Sequence, residues 1–114
     1  MKFSINQKNL YNALNIVRRA VAKNQTLPIL TGIFLNLKNN TLTLKSTDLE
    51  LGIEYKLQVE GQIDGSIVLP ATQFSNIIRE LPNETINIEL NKDKWQLEIK
   101  CINSLFKING YDPD

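Results

Sequence analysis

The apolar positions between Lys8 and Lys23 recur at intervals of three and four residues, which is the spacing of one face of an α-helix. This apolar stripe consists of Leu10, Ala13, Leu14, Val17 and Val21. The opposite side carries basic and amide side chains and no carboxylate, and it consists of Lys8, Asn12, Asn15 and Arg19. Asn6 is placed to cap this helix, because its side chain can accept hydrogen bonds from the free N–H groups of the first turn. The pattern predicts an amphipathic helix with a positively charged outer face.

Segments that alternate between apolar and polar residues surround this helix and a second predicted helix at Ala71 to Leu81, which is the pattern of half-buried strands. The predicted strands are Lys2 to Asn6, Gly32 to Lys38, Thr41 to Ser46, Leu49 to Val59, Ser66 to Pro70, Thr85 to Leu90, Lys94 to Lys100 and Ser104 to Asn109. Gly61 to Gly65 is predicted to be a break between strands. The order strand, helix, three strands therefore occurs twice, in repeats of about 1–60 and 61–110.

A shift of the chain by 64 residues places Leu10 on Phe74 and Val17 on Leu81, so the apolar stripes of the two helices coincide. The outer faces coincide as well, and both lack acidic residues at the matched positions. Such a repeat indicates two copies of one supersecondary unit. We therefore predict a single α+β domain of two βαβββ repeats, related by a pseudo-twofold axis, with two helices packed side by side on antiparallel sheets. Coincidence between two ordinary amphipathic helices is the alternative.

The composition of 42% hydrophobic and 22% charged residues is typical of a globular domain rather than a disordered or membrane protein. No apolar run approaches the roughly 20 residues that span a bilayer, and the N-terminus lacks the apolar stretch of a signal peptide. We expect a cytoplasmic protein without a membrane partner. Cys101 is the single cysteine and lies in a predicted strand, which favours a small buried hydrophobe.

Charge is unevenly distributed along the chain. Residues 1–47 contain seven basic and no acidic residues, whereas residues 48–114 contain six basic and twelve acidic ones, so the net charges are +7 and −6. A fold that separates these two parts would be strongly polarised and would suit contact with a polyanion on one side. The alternative is that the two parts interleave in space and cancel.

The residues offer little for catalysis. The chain has no histidine, no paired cysteines, no Gly-rich phosphate loop and no nucleophile elbow, so we expect no enzyme activity, no metal and no cofactor. Asp48 and Glu50 could hold a divalent cation, but two carboxylates near a strand start are more often charges that face solvent.

Phosphate oxygens are a better match for the charged side chains of the helices. Basic residues interleaved with asparagines supply donors for a nucleic-acid backbone, and no aromatic platform for stacking bases accompanies them. The basic residues concerned are Lys8, Arg18, Arg19, Lys23 and Arg79. This chemistry favours binding that is blind to sequence and sensitive to salt.

Several motifs, in order and at matching spacing over essentially the whole chain, closely resemble the first domain of the bacterial β sliding clamp, the β subunit of DNA polymerase III. They are Lys2-Phe3, Thr26-Leu27-Pro28-Ile29-Leu30, Thr47-Asp48-Leu49-Glu50, Leu69-Pro70-Ala71 with Phe74, Leu81-Pro82, and Phe106 before Tyr111-Asp112-Pro113-Asp114.

The resemblance implies a DNA-clamp domain, the first of three in a parent protein that dimerises head to tail into a ring around duplex DNA. Such a ring is not catalytic and keeps a polymerase on its template. The cleft that recruits polymerase and clamp loader lies between the second and third domains of the family, so it is expected to be absent from these 114 residues.

The resemblance also implies roles for individual residues. Asn24 aligns with a position that is often basic and touches DNA in relatives, and Lys23 is the alternative for that role. Arg79 matches a basic position of the DNA-facing surface. Phe106 and Ile108 match the apolar contact between the first domain and the third domain of the partner subunit, with ordinary core packing as the alternative. An interaction module that does not bind nucleic acid and uses Ser104 to Asn109 as an exposed edge strand is the rival interpretation.

Overall fold

The computed structural model of the chain describes residues 1–21, 31–48 and 50–114. The elements in chain order are β1 (Lys2–Asn6), α1 (Gln7–Val17), a 3₁₀ turn (Arg18–Ala20), β2 (Gly32–Lys38), β3 (Thr41–Thr47), β4 (Gly52–Gln58), β5 (Glu60–Ile63), β6 (Gly65–Pro70), α2 (Ala71–Glu80), β7 (Thr85–Asn91), β8 (Gln96–Cys101) and β9 (Ser104–Asn109). No helix among these described residues is long and apolar enough to span a membrane.

The strands form two antiparallel sheets, with orders β5-β1-β7-β8-β9 and β4-β3-β2-β6. We call these sheet A and sheet B. Each sheet combines the first strand of one repeat with three strands of the other, because β1 pairs with β7 and β6 pairs with β2. Sheet A gains a fifth strand, β5, which pairs with β1. Strand exchange of this kind ties the repeats into one unit. The predicted α+β fold with paired helices on antiparallel sheets is confirmed.

One hydrophobic core joins the helices to both sheets. The apolar stripe of α1 and the inward residues of the strands are buried together, and Phe3, Leu10 and Phe74 are among the largest side chains in the core. Full burial of side chains of this size stabilises a fold by about 1.5–3 kcal/mol each. Cys101 is buried, as predicted, and this burial raises the pKa of its thiol, with a smaller contribution from Glu84.

The first helix is shorter than the predicted Lys8 to Lys23, because regular α-helix ends at Val17. The side-chain hydroxyl of Ser46 on β3 donates a hydrogen bond to the carbonyl oxygen of Val17. The N–H of Val21, which would donate to Val17 in a continued α-helix, donates to the carbonyl oxygen of Arg18. Val21 itself is extended, with φ −79° and ψ 127°. A contact from a distant strand thus ends the helix.

The predicted break at Gly61 to Gly65 is wrong, since Glu60–Ile63 forms β5 and pairs with β1. Gly61 permits this pairing because its backbone lies against the carbonyl of Asn39, where a side chain would not fit. Two predicted strands also start later than expected. β4 begins at Gly52 rather than Leu49, and β8 begins at Gln96, after Trp95 adopts a left-handed φ of 47°.

Candidate nucleic-acid interface

Two features position the outer face of α1: the N-cap that starts the helix and the apolar stripe that packs on the core. The side-chain oxygen of Asn6 accepts from the N–H groups of Lys8 and Asn9 at 2.9 and 3.3 Å, which starts the helix. The apolar stripe faces the core, so the side chains of Lys8, Asn12 and Asn15 are exposed on the other side. The first turn contains no acidic residue.

The 3₁₀ turn after α1 adds two exposed guanidinium groups, Arg18 and Arg19. The outer face of the predicted helix did not include Arg18, although the sequence placed it among the basic residues suited to phosphate. The backbone at Arg18 is still right-handed helical, with φ −60° and ψ −20°, and its side chain is exposed beside that face.

The second helix, α2, presents Thr72, Gln73, Asn76 and Arg79 to solvent. Arg79 is not alone there: its Nε lies 3.3 Å from Oε1 of the exposed Glu80. Glu80 falls one position beyond Arg79 and outside the matched outer positions of the repeat, which is why the pattern missed it. The exposed surface of α2 therefore has no net charge, whereas that of α1 and the 3₁₀ turn is positive.

The two helices contact each other. The side-chain amide of Gln7, the first residue of α1, donates to the carbonyl oxygen of Ile78 near the end of α2, with a distance of 2.7 Å in a buried setting. Lys8 and Arg79 follow these two residues and thus lie at the same end of the helix pair. Arg19 lies at the other end of α1, about 16 Å along the axis of this 11-residue helix. Lys23 and Asn24 fall outside the described residues.

Beyond the helices, charges from the two parts of the chain interleave. Lys2 on β1 is paired in register with Glu89 on β7, and Nζ of Lys45 lies 3.3 Å from Oε1 of Glu54. The sheet surfaces are therefore mixed in sign. The excess of positive charge is concentrated on α1 and the 3₁₀ turn, where Lys8, Arg18 and Arg19 are exposed without an acidic residue in those elements.

This surface can attract phosphates through cations and amide donors, and it includes no exposed aromatic side chain on which bases could stack. Asp48, a candidate cation ligand, stabilises its own loop instead. Its Oδ1 accepts from the N–H groups of Leu51 at 2.7 Å and Glu50 at 3.0 Å, and these bonds hold the pKa of the Asp48 carboxyl below its usual value.

The last strand, β9, ends sheet A, and its outer edge has no strand partner among the described residues. Phe106 is 38% exposed at this edge, and Leu105 beside it is 52% exposed. Ile108 is 1% exposed and packs in the core. An apolar contact with another domain would therefore use Phe106 and Leu105, whereas Ile108 belongs to the core.

Residues 1–114 match the family model described as the DNA polymerase III beta subunit, N-terminal domain. The chain is 36% identical over 122 aligned residues to the beta sliding clamp of Staphylococcus epidermidis and 34% identical to that of Halalkalibacterium halodurans, and the match covers all of this chain and 32% of each relative.

Solved structures agree with this match. The beta subunit of Streptococcus pyogenes DNA polymerase superposes with a TM-score of 0.93 at 29% identity, over 98% of this chain and 30% of that one. A putative DNA polymerase III beta subunit from Eubacterium rectale also has a TM-score of 0.93, at 34% identity and the same coverage. The Helicobacter pylori beta clamp bound to a DNA ligase peptide has a TM-score of 0.90 at 27% identity, over 98% of this chain and 31% of that one.

The chain thus spans about a third of the length of these relatives. These comparisons confirm the resemblance that the motifs indicated and do not support the rival interpretation of an isolated interaction module. The chain belongs to the family of the N-terminal domain of the DNA polymerase III beta subunit, the bacterial sliding clamps.

Proposed function

We propose that this chain serves as the DNA-facing first domain of a ring-shaped processivity factor, which encircles duplex DNA and slides on it without reading sequence. The observation that carries the proposal is the acid-free exposed surface of α1 and the 3₁₀ turn, packed beside α2. Its cations attract phosphates from either strand, and the surface offers no exposed aromatic side chain on which bases could stack.

In this proposal the domain carries out no reaction of its own and acts as part of an accessory subunit of the polymerase. The subunit contains three such domains and dimerises through contact between the first domain, at Phe106 and Leu105, and the third domain of its partner. Polymerase and clamp loader bind elsewhere in the full-length protein. A relative, the Helicobacter pylori clamp, is known bound to a DNA ligase peptide, which supports a role in recruiting DNA-processing enzymes.

The test measures the affinity of the full-length protein for a short linear duplex, because on a closed circle the topological link of the ring would set its lifetime. Lys8, Arg19 and Arg79 are changed together to Glu, and the dissociation constant is measured between about 50 and 200 mM salt. We expect weaker binding and a weaker dependence on salt, because three phosphate-attracting groups per subunit are replaced by repelling ones.

The matched control changes Lys38, Lys56 and Lys100 to Glu. These lysines are exposed on the strands, and the substitution alters net charge by the same amount. We expect this control to retain the affinity and salt dependence of the natural protein. Equal behaviour of the two triple variants would overturn the proposed role of the helix surface.

A further inference from the structure

The outer face of sheet B contains an apolar cavity of about 390 Å³ that the proposed DNA contact does not use. Gly32 on β2 and Gly52 on β4 leave its floor without side chains, and Phe34, Ile53, Val68 and Pro113 form its walls. A Cβ atom at Gly52 would come no closer than 3.9 Å to any other group, so the floor is open. Volumes of this size are typical of small-molecule sites.

The charged side chain at this cavity is a lysine. Nζ of Lys45 lies 5.8 Å above the centre of the Phe34 ring and 3.3 Å from Oε1 of Glu54. Among the described residues that line the cavity, none is acidic. Glu54 reaches Lys45 from outside this lining, and its side chain is 49% exposed. An incoming carboxylate can therefore replace Glu54 on Lys45 while Glu54 turns to solvent.

We propose that this cavity binds a small aromatic carboxylate. The aromatic body packs against Phe34 and Val68, and the carboxylate pairs with Lys45. Exchange of one exposed carboxylate for another on Lys45 changes the free energy little, so the apolar contact supplies most of the affinity. For a bicyclic acid of this size we expect a dissociation constant of about 1 mM.

The experiment titrates the 114-residue chain with 2-naphthoate and with the neutral 2-naphthamide, followed by NMR chemical shifts. We expect shifts centred on Phe34 and Val68, with similar affinities for the two probes, because naphthoate must displace Glu54 from Lys45 whereas naphthamide leaves that pair intact. The absence of saturable shifts would overturn the proposal.

Three variants locate the site. Gly52→Val fills the floor, where its side chain meets no close neighbour, and abolishes binding of both probes. Glu54→Gln removes the competing carboxylate, so it tightens naphthoate binding about threefold and leaves naphthamide binding unchanged. Adding Lys45→Gln to Glu54→Gln abolishes that gain. Lys38→Gln, on an exposed lysine away from the cavity, has no effect. Binding that survives Gly52→Val, or a naphthoate affinity that Glu54→Gln does not change, would contradict the proposal.

Discussion

Gly61 has the least room for a side chain among Gly52, Gly61, Gly65 and Gly110. A Cβ atom there would lie 1.9 Å from the carbonyl oxygen of Asn39, a backbone group that cannot rotate away. The same turn is held by Asn40, whose side-chain oxygen accepts from the N–H of Gly61 at 3.0 Å. The local pattern of a glycine between polar residues predicts only a break, since it holds no information about the facing hairpin.

We predict that Gly61→Ala lowers the free energy of unfolding by about 1–3 kcal/mol, because the Asn39 turn must move or β5 must leave β1. Urea unfolding followed by circular dichroism measures the change. Gly52→Ala is the matched control, since its new methyl group meets nothing within 3.9 Å, and we expect almost no loss there. Equal destabilisation by both substitutions would show that glycine flexibility, rather than the Asn39 contact, matters.

The Asp48 carboxyl group predicts how the stability of the fold depends on pH. Hydrogen bonds from the N–H groups of Leu51 and Glu50 hold its pKa below the usual 3.8, so the folded state favours the ionised carboxylate. A carboxyl group whose pKa is lower in the folded state stabilises the fold at pH values above its pKa in the unfolded chain. This stabilisation is lost as the pH falls through the folded-state pKa.

We therefore expect the natural chain to be more stable than Asp48→Asn above pH 3.8, with the difference disappearing at lower pH. Chemical unfolding at a series of pH values measures it. Glu50→Gln is the control, and its difference from the natural chain should lack this dependence, since the Glu50 side chain makes no hydrogen bond to the loop among those described. A constant difference between the natural chain and Asp48→Asn would contradict the assignment.

At the scale of elements, the sequence predicted both helices and most strands, because their apolar spacing is local and strong. It misplaced the end of α1, which depends on Ser46 in β3. It also missed β5, whose residues Glu60–Ile63 lack a clear alternating pattern and become a strand through pairing with β1. The bounds of an element that depend on a contact with a distant strand cannot be predicted from the residues of that element alone.

Helix α2 differs electrostatically from α1, because Glu80 offsets Arg79 on its exposed surface. If the helix pair faces duplex DNA, the carboxylate repels phosphates and weakens the contact of α2. We predict that Glu80→Gln in the full-length protein raises the affinity for a short linear duplex and steepens its salt dependence, by up to about one phosphate contact per subunit.

The matched control is Glu89→Gln, which removes one exposed carboxylate from β7 in sheet A. We expect that variant to leave both quantities unchanged. A similar gain from the two substitutions would mean that net charge, rather than the position of Glu80 beside Arg79, controls the attraction to DNA.

At the scale of the whole molecule, the 64-residue repeat predicted two similar units but not the exchange of strands between them. Because β1 joins β7 and β6 joins β2, basic residues of the first part lie beside acidic residues of the second, as with Lys2 and Glu89. The sheets therefore show the alternative, in which charges of the two parts interleave. Among residues 1–21, 31–48 and 50–114, the positively charged surface free of acidic residues lies on α1 and the 3₁₀ turn.

Strand β9 at the open edge of sheet A carries one exposed and one buried apolar residue on the same face, Phe106 and Ile108. The alternation of the sequence places both on one face and could not show which of them is exposed. Phe106 is 38% exposed and Ile108 is 1% exposed. We predict that Phe106→Lys in the full-length protein yields folded monomers, whereas Ile108→Lys unfolds the first domain by placing a charge in the core. Analytical ultracentrifugation reports the association, and circular dichroism reports the fold.

Tyr55 supplies the control for this edge. It is also 38% exposed but lies on β4, an edge strand of sheet B, so Tyr55→Lys replaces a similarly exposed aromatic side chain at an edge of the other sheet. If β9 makes the contact between subunits, Tyr55→Lys preserves the dimer that Phe106→Lys separates. A dimer that survives Phe106→Lys and dissociates with Tyr55→Lys would place the contact between subunits on sheet B, and the apolar edge of β9 would then need another partner.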